Sequence, residues 1–184
     1  RVKEGDVIFI TMHMHYYFGE DWYRYPVENF RYFDNKNQVV SRNSKKEYFE
    51  EWLISIKDLS KDLFKKKASI VITMPTPEFP YANTQQCKSQ NPQWFNIVRK
   101  KDCSVPITFF TNGNGKYYQI IERLKEVSSE YENLYIFDAL SAMCPNEICK
   151  YSAAGGELLY RDGDHISNFG AVNFISPKLL KFVE

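Results

Sequence analysis

Ala68-Ser69-Ile70-Val71-Ile72-Thr73-Met74, followed at once by Pro75-Thr76-Pro77-Glu78-Phe79-Pro80, is the stretch on which the reading of the fold turns. Its first seven residues are a nearly continuous apolar and β-branched run, without the polar alternation of a half-solvated strand. Such a run fits a strand covered on both faces, as in a parallel sheet. The prolines then end it, because proline has no N–H to give to a ladder. The same grammar recurs outward in both directions. Residues 6–12 (DVIFITM) and 133–138 (NLYIFD) read as two further buried strands.

Amphipathic helices fill the spaces between. Ser44 and Glu47 make a capping box, each side chain meeting the other's backbone N–H. They open a helix with Phe49, Trp52, Leu53, Ile56, Leu59 and Leu63 on one face, ending near Lys67. A second helix follows the turn Asn112-Gly113-Asn114-Gly115, with Tyr117, Ile120, Ile121, Leu124 and Val127 on its apolar face. A last one begins near Ser167 and carries Phe169, Val172, Ile175, Leu179 and Val183. Residues 106–110 (PITFF) read as a strand or extended segment, residues from Trp94 to Lys101 as a short helix, and 13–43 as a long irregular connection. Strands alternating with helices predict an α/β three-layer sandwich around a mainly parallel central sheet. In such sheets sites gather at the carboxyl ends of strands. Those ends carry His13 and His15, Pro75 to Pro80, and Asp138.

The chain's 184 residues suit one domain. It has 24 basic and 23 acidic residues, and a net charge of +1 gives no electrostatic case for nucleic acid or an anionic membrane. The one basic cluster, Lys65-Lys66-Lys67, falls at a helix C-terminus, where it complements the dipole. No run of roughly 18 apolar residues is present to span a bilayer, and no cofactor is expected. The chain opens on Arg1 and enters a strand almost at once, so the expectation is a domain incomplete at its N-terminus. Cys87, Cys103, Cys144 and Cys149 allow three pairings. Cys87–Cys103 and Cys144–Cys149 are favoured, since each closes a short polar loop; four reduced thiols is the alternative. Two bridges would imply an oxidising compartment.

The chemistry concentrates in Leu159-Tyr160-Arg161-Asp162-Gly163-Asp164-His165-Ile166-Ser167. On a turn, a carboxylate three residues before a histidine can accept the imidazole Nδ1–H. That fixes the tautomer and leaves Nε2 as a base, the base half of a nucleophilic triad. Asp164 is expected to point elsewhere and to favour the following helix, beside Ser167. From spacing alone two other readings stay open: a solvated acidic turn before a helix, and a metal site on His13, His15 and His165.

The segment 160–171, YRDGDHISNFGA, closely resembles the last block of SGNH hydrolases. More narrowly, it resembles the SGNH domain fused behind the membrane-embedded acyltransferase-3 domain. DVIFITM, then IVITMPTPEFP followed by Cys87, then Cys144-Pro145 and Cys149 ahead of LLYRD, resemble that family's segments in the same order. The resemblance implies that Asp162 and His165 are the Asp and His of a Ser-His-Asp triad. It implies transfer or hydrolysis of acetyl or other acyl groups on carbohydrate or other hydroxyl substrates. The implied partners are an acyl donor or ester, a carbohydrate-like acceptor and an upstream membrane domain, on the extracytoplasmic side of a membrane. Two departures stand out. Gly5-Asp6 is followed by Val7, so no Gly-Asp-Ser nucleophile block occurs and the serine is expected upstream. No Gly-x-Asn-Asp follows the first strand; His13 and His15 stand there instead, as candidate substrate-binding residues. The alternative is an inactive SGNH-like module that binds glycan or another substrate through the aromatic loop of Tyr16, Tyr17, Phe18, Trp22, Tyr23 and Tyr25.

Overall fold

The computed structural model describes residues 1–12, 14, 32–33, 39–40, 45–79, 87, 103–113 and 117–183. Several expectations therefore lie outside the described residues: the Ser44 cap, the aromatic loop, His13 and His15, the helix near 94–101 and the Asn114-Gly115 half of a turn. The chain divides into two compact units, Arg1–Pro75 with Lys116–Ile136, and Thr76–Gly115 with Phe137–Glu184.

The first unit is built on a three-stranded sheet in the order β1 (Val7–Ile10), β4 (Ser69–Thr73), β6 (Leu134–Phe137). β1 and β4 run parallel, with Val7 opposite Ser69 and Ile10 opposite Ile72. The sheet is mostly parallel and alternates with helices, an α/β fold. A short antiparallel ladder joins β2 (Tyr32–Phe33) to β3 (Val39–Val40). β4 is the central strand, with Ile70, Val71 and Ile72 all buried. Helices α1 (Lys45–Phe64) and α3 (Tyr118–Ser129) supply the rest of the core. Phe49, Leu53, Ile56 and Leu63 pack in one cluster with Ile120, Leu124, Val127, Ile70, Ile72 and Leu134.

Two features depart from the sequence reading. β1 is not buried on both faces: Val7 and Phe9 are 41% and 44% exposed, while Ile8 and Ile10 pack on the core. It is one of the two outer strands of this sheet, and its pleat sends alternate side chains to opposite faces, only one of which packs on the core. On α1, Leu59 is exposed and Ser60 is fully buried. Ser60 donates to Asn133 Oδ1 (2.7 Å), and Asn133 Nδ2 donates to the Ser60 and Ala68 carbonyls (3.0 Å each). This satisfied polar knot ties the end of α1 to the starts of β4 and β6.

In the second unit β5 (Val105–Pro106) pairs antiparallel with β7 (Ile148–Cys149). Of the expected strand over 106–110, only Pro106 is paired, opposite Ile148. The chain then closes its own backbone bonds as α2 (Thr108–Thr111), with Thr111 N–H on the Ile107 carbonyl and Asn112 N–H on that of Thr108. Asp138, at the end of β6, caps α4 (Ala139–Met143), its Oδ1 accepting the Ser141 N–H at 2.8 Å. Cys87 is joined to Cys103 and Cys144 to Cys149, with Cα separations of 5.7 and 4.1 Å. Val105 lies opposite Cys149, so both bridges adjoin the β5–β7 ladder. After Ser167 the chain is helical, through α5 (Asn168–Gly170), a π-helical stretch Ala171–Ile175 and α6 (Ser176–Val183). Among the described residues no helix is long and apolar enough to cross a membrane.

Candidate active site

The segment 158–167 forms a tight loop stapled at its base. Leu159 N–H bonds the Tyr151 carbonyl (3.0 Å) and Ser167 N–H bonds that of Leu159 (2.9 Å). Tyr160 bridges Ile166, and Arg161 N–H reaches the His165 carbonyl at 2.8 Å. Asp162, Gly163 and Asp164 are therefore raised at the tip. A dry floor lies under it. Tyr160, Tyr151 and Phe79 are all buried, and the Phe79 ring meets Tyr160 edge-on at 4.8 Å and Tyr151 at 5.3 Å. Phe79 also donates its N–H to the Gly163 carbonyl at 2.8 Å, so the PTPEFP segment holds the tip directly.

The tip brings Asp162 and His165 together. Asp162 Oδ1 accepts the backbone N–H of His165 (2.8 Å) and of Asp164 (3.3 Å), an Asx turn. Its two oxygens lie 2.8 and 3.0 Å from His165 Nδ1. With Nδ1–H donated to the carboxylate, Nε2 is an acceptor, and the imidazole is about half exposed (48%). Burial opposes ionisation of Asp162, but the His165 N–H, the Asp164 and His165 side chains and the Asp164 N–H outweigh it. They hold its carboxyl well below the usual carboxylate range. Arg161 Nε stands 3.7 Å from Asp162 Oδ2 at the solvent edge.

Asp164 departs from expectation. It does not serve the following helix: Ser167 is the cap, its Oγ accepting the Gly170 N–H at 3.0 Å. Asp164 is instead 8% exposed, with Oδ1 3.2 Å from His165 Nδ1. A run of carboxylate, glycine, carboxylate, histidine does not reveal which carboxylate turns inward, because that depends on the floor beneath. Candidate ligand atoms of Asp162, Asp164 and His165 all lie within 4.8 Å of one another. His165 Nδ1 lies within hydrogen-bonding reach of both carboxylates, so the three side chains engage one another. His13 and His15 lie outside the described residues. Sequence reasoning also missed Phe79, whose only signal was its place just after a buried strand.

One family model, the SGNH domain (fused to AT3 domains), matches residues 1–177. No curated protein and no solved structure matches the chain.

Proposed function

Because the chain belongs to the SGNH domain family found fused to AT3 domains, whose chemistry is the hydrolysis or transfer of acyl esters, we propose that it supplies the Asp–His half of a Ser-His-Asp acyl-transfer site. His165 Nε2 takes the proton of a serine hydroxyl as its oxygen attacks the acyl carbonyl. It then returns that proton to the departing alcohol, and the acyl-serine is resolved by an acceptor hydroxyl or water in the same way. Asp162 holds the ring in the tautomer whose Nε2 accepts, and stabilises the imidazolium between the two transfers. The serine is proposed to lie outside these residues, since no Gly-Asp-Ser block occurs among the 184. The acyl group is acetyl or similar, and the acceptor is a carbohydrate or another hydroxyl compound.

One observation carries the reading: His165 Nδ1 lies 2.8 Å from Asp162 Oδ1, and the imidazole is about half exposed. The two disulfides support an extracytoplasmic location, and the family's fusion to AT3 domains supports an associated membrane acyltransferase. The test is His165→Ala in the full-length protein, assayed for acyl-ester turnover and for acylation of a glycan acceptor. Turnover should fall by roughly 10³- to 10⁶-fold while the fold is retained. Wild-type rates in the folded variant would sink the catalytic reading and leave an inactive binding module.

A further inference from the structure

Two carboxylates face one ring nitrogen. Asp162 Oδ1 and Oδ2 lie 2.8 and 3.0 Å from His165 Nδ1, and Asp164 Oδ1 lies 3.2 Å from it. A single Nδ1–H can serve only part of this acceptor set at any moment. We propose that Asp164 is a positioning residue for His165: a second carboxylate that shares with Asp162 the task of holding the Nδ1–H and can hold it alone. The inference rests on the Asp162–His165 chemistry proposed above and adds a residue to it.

Asp162 Oδ1 carries three contacts, two of them from the backbone N–H groups of His165 and Asp164. Those donors require an acceptor oxygen at that corner of the side chain. In Asp162→Asn the amide oxygen must stay there, which puts the NH2 group at the Oδ2 position, 3.0 Å from Nδ1 in the native protein. The NH2 group there opposes the Nδ1–H tautomer, as in a triad with one orienting carboxylate, while the amide oxygen, kept 2.8 Å from Nδ1, can still accept the proton. Here Nδ1–H keeps an acceptor in Asp164 Oδ1, already within 3.2 Å, with no ring flip. Asp164 is also the better shielded of the two: its side chain is 9% exposed against 43% for Asp162.

The test uses the full-length protein with 4-nitrophenyl acetate as the probe, comparing Asp162→Asn, Asp164→Asn, the double variant and His165→Ala. Asp162→Asn should lose about tenfold in kcat/KM, where a lone orienting carboxylate is worth roughly 10⁴-fold. Asp164→Asn should lose a few-fold, and the double variant should fall to the His165→Ala level, far below the product of the single effects. In ¹⁵N-histidine-labelled protein the Nδ1–H tautomer of His165 should persist in each single variant and vanish in the double. Asp162→Asn falling by itself to the His165→Ala level, with the tautomer inverted, would overturn the proposal. So would single effects that simply multiply. If the double variant does not fold, Asp162→Ala decides, since it leaves no side-chain acceptor at residue 162: the Nδ1–H tautomer retained there supports the proposal, and its loss overturns it. If His165→Ala retains turnover, the catalytic reading fails, and the tautomer series still tests the second carboxylate.

Discussion

Replacing Gly170 by alanine sets two effects of opposite sign against each other. Gly170 has ordinary helical angles, φ −61° and ψ −45°. Backbone preference alone therefore predicts that alanine stabilises, by about 0.5–1 kcal/mol. Space predicts the reverse. A methyl group on Gly170 would stand 2.4 Å from the Leu159 carbonyl oxygen and 2.9 Å from Ile166 Cγ2. Both fall short of the 3.0 Å that real Cβ contacts respect, and the nearer obstacle is backbone. Relief requires Leu159 and the start of α5 to separate. They are joined by Ser167 N–H on the Leu159 carbonyl (2.9 Å) and Ser167 Oγ on the Leu158 carbonyl (2.5 Å). Overpacking costs about 1–3 kcal/mol, and each stretched hydrogen bond adds up to about 1 kcal/mol. The net loss is about 2 kcal/mol, or a melting temperature lower by roughly 4–8 °C. Thermal unfolding followed by circular dichroism reads this directly. Gly113→Ala is the control, since no described residue comes within 4 Å of its added carbon, and it should leave the melting temperature nearly unchanged. An equal or higher melting temperature for Gly170→Ala would refute the argument. It would mean that the Leu159 backbone at the base of the 158–167 loop is free to move.

Two more predictions follow from groups beside the loop. Tyr160 is fully buried and its hydroxyl has no hydrogen-bond partner among the described residues; burial pushes its ionisation far above the usual tyrosine range. Tyr160→Phe should stabilise by about 1 kcal/mol, read as a higher urea midpoint, and a lower midpoint would reveal a partner for the hydroxyl. Asp162 has its folded pKa depressed, so its ionisation supports the fold above its unfolded value near 4 and that support disappears as pH falls through the depressed folded value. The gap in melting temperature between wild type and Asp162→Ala should hold from pH 7 to about 5 and narrow in stronger acid; a gap that widens on acidification would contradict the sign.

What the sequence exposed and what it hid divide along a physical line. Apolar periodicity located β1, β4, β6, α1 and α3, because burial selects side chains by spacing alone. It misplaced Val7 and Phe9, since a run of apolar residues does not say whether the strand lies at the centre or the edge of a sheet. It also passed over Ser60 and Asn133, whose burial depends on meeting each other across 73 positions of chain. Residues 106–110 read as extended because Ile, Phe and Phe favour strands. Only Pro106 of these is paired in a ladder, and tertiary context outweighed propensity. At the site, the Asp162–His165 pair was legible because both partners lie on one turn. The inward turn of Asp164 and the grip of Phe79 were not, because each depends on a surface made by other segments.

That division bears on how the site works. A polar turn of three ionisable groups is flexible when left to itself, and a base that wanders by an ångström loses much of its effect. Here the turn's own hydrogen bonds fix only its internal shape. Its position comes from Phe79, which carries a donor to the Gly163 carbonyl and a ring against Tyr160 on a single residue. The hydrogen bond sets the height of the tip, and the aromatic floor excludes water beneath it, so that the carboxylates engage His165 more strongly than they would in solvent. The prolines on both sides of Phe79 limit the conformations open to its backbone. A rigid segment far away in sequence thus does for the loop what the loop's own residues cannot. The motif that announces the chemistry is for that reason a different stretch of chain from the one that holds it in place.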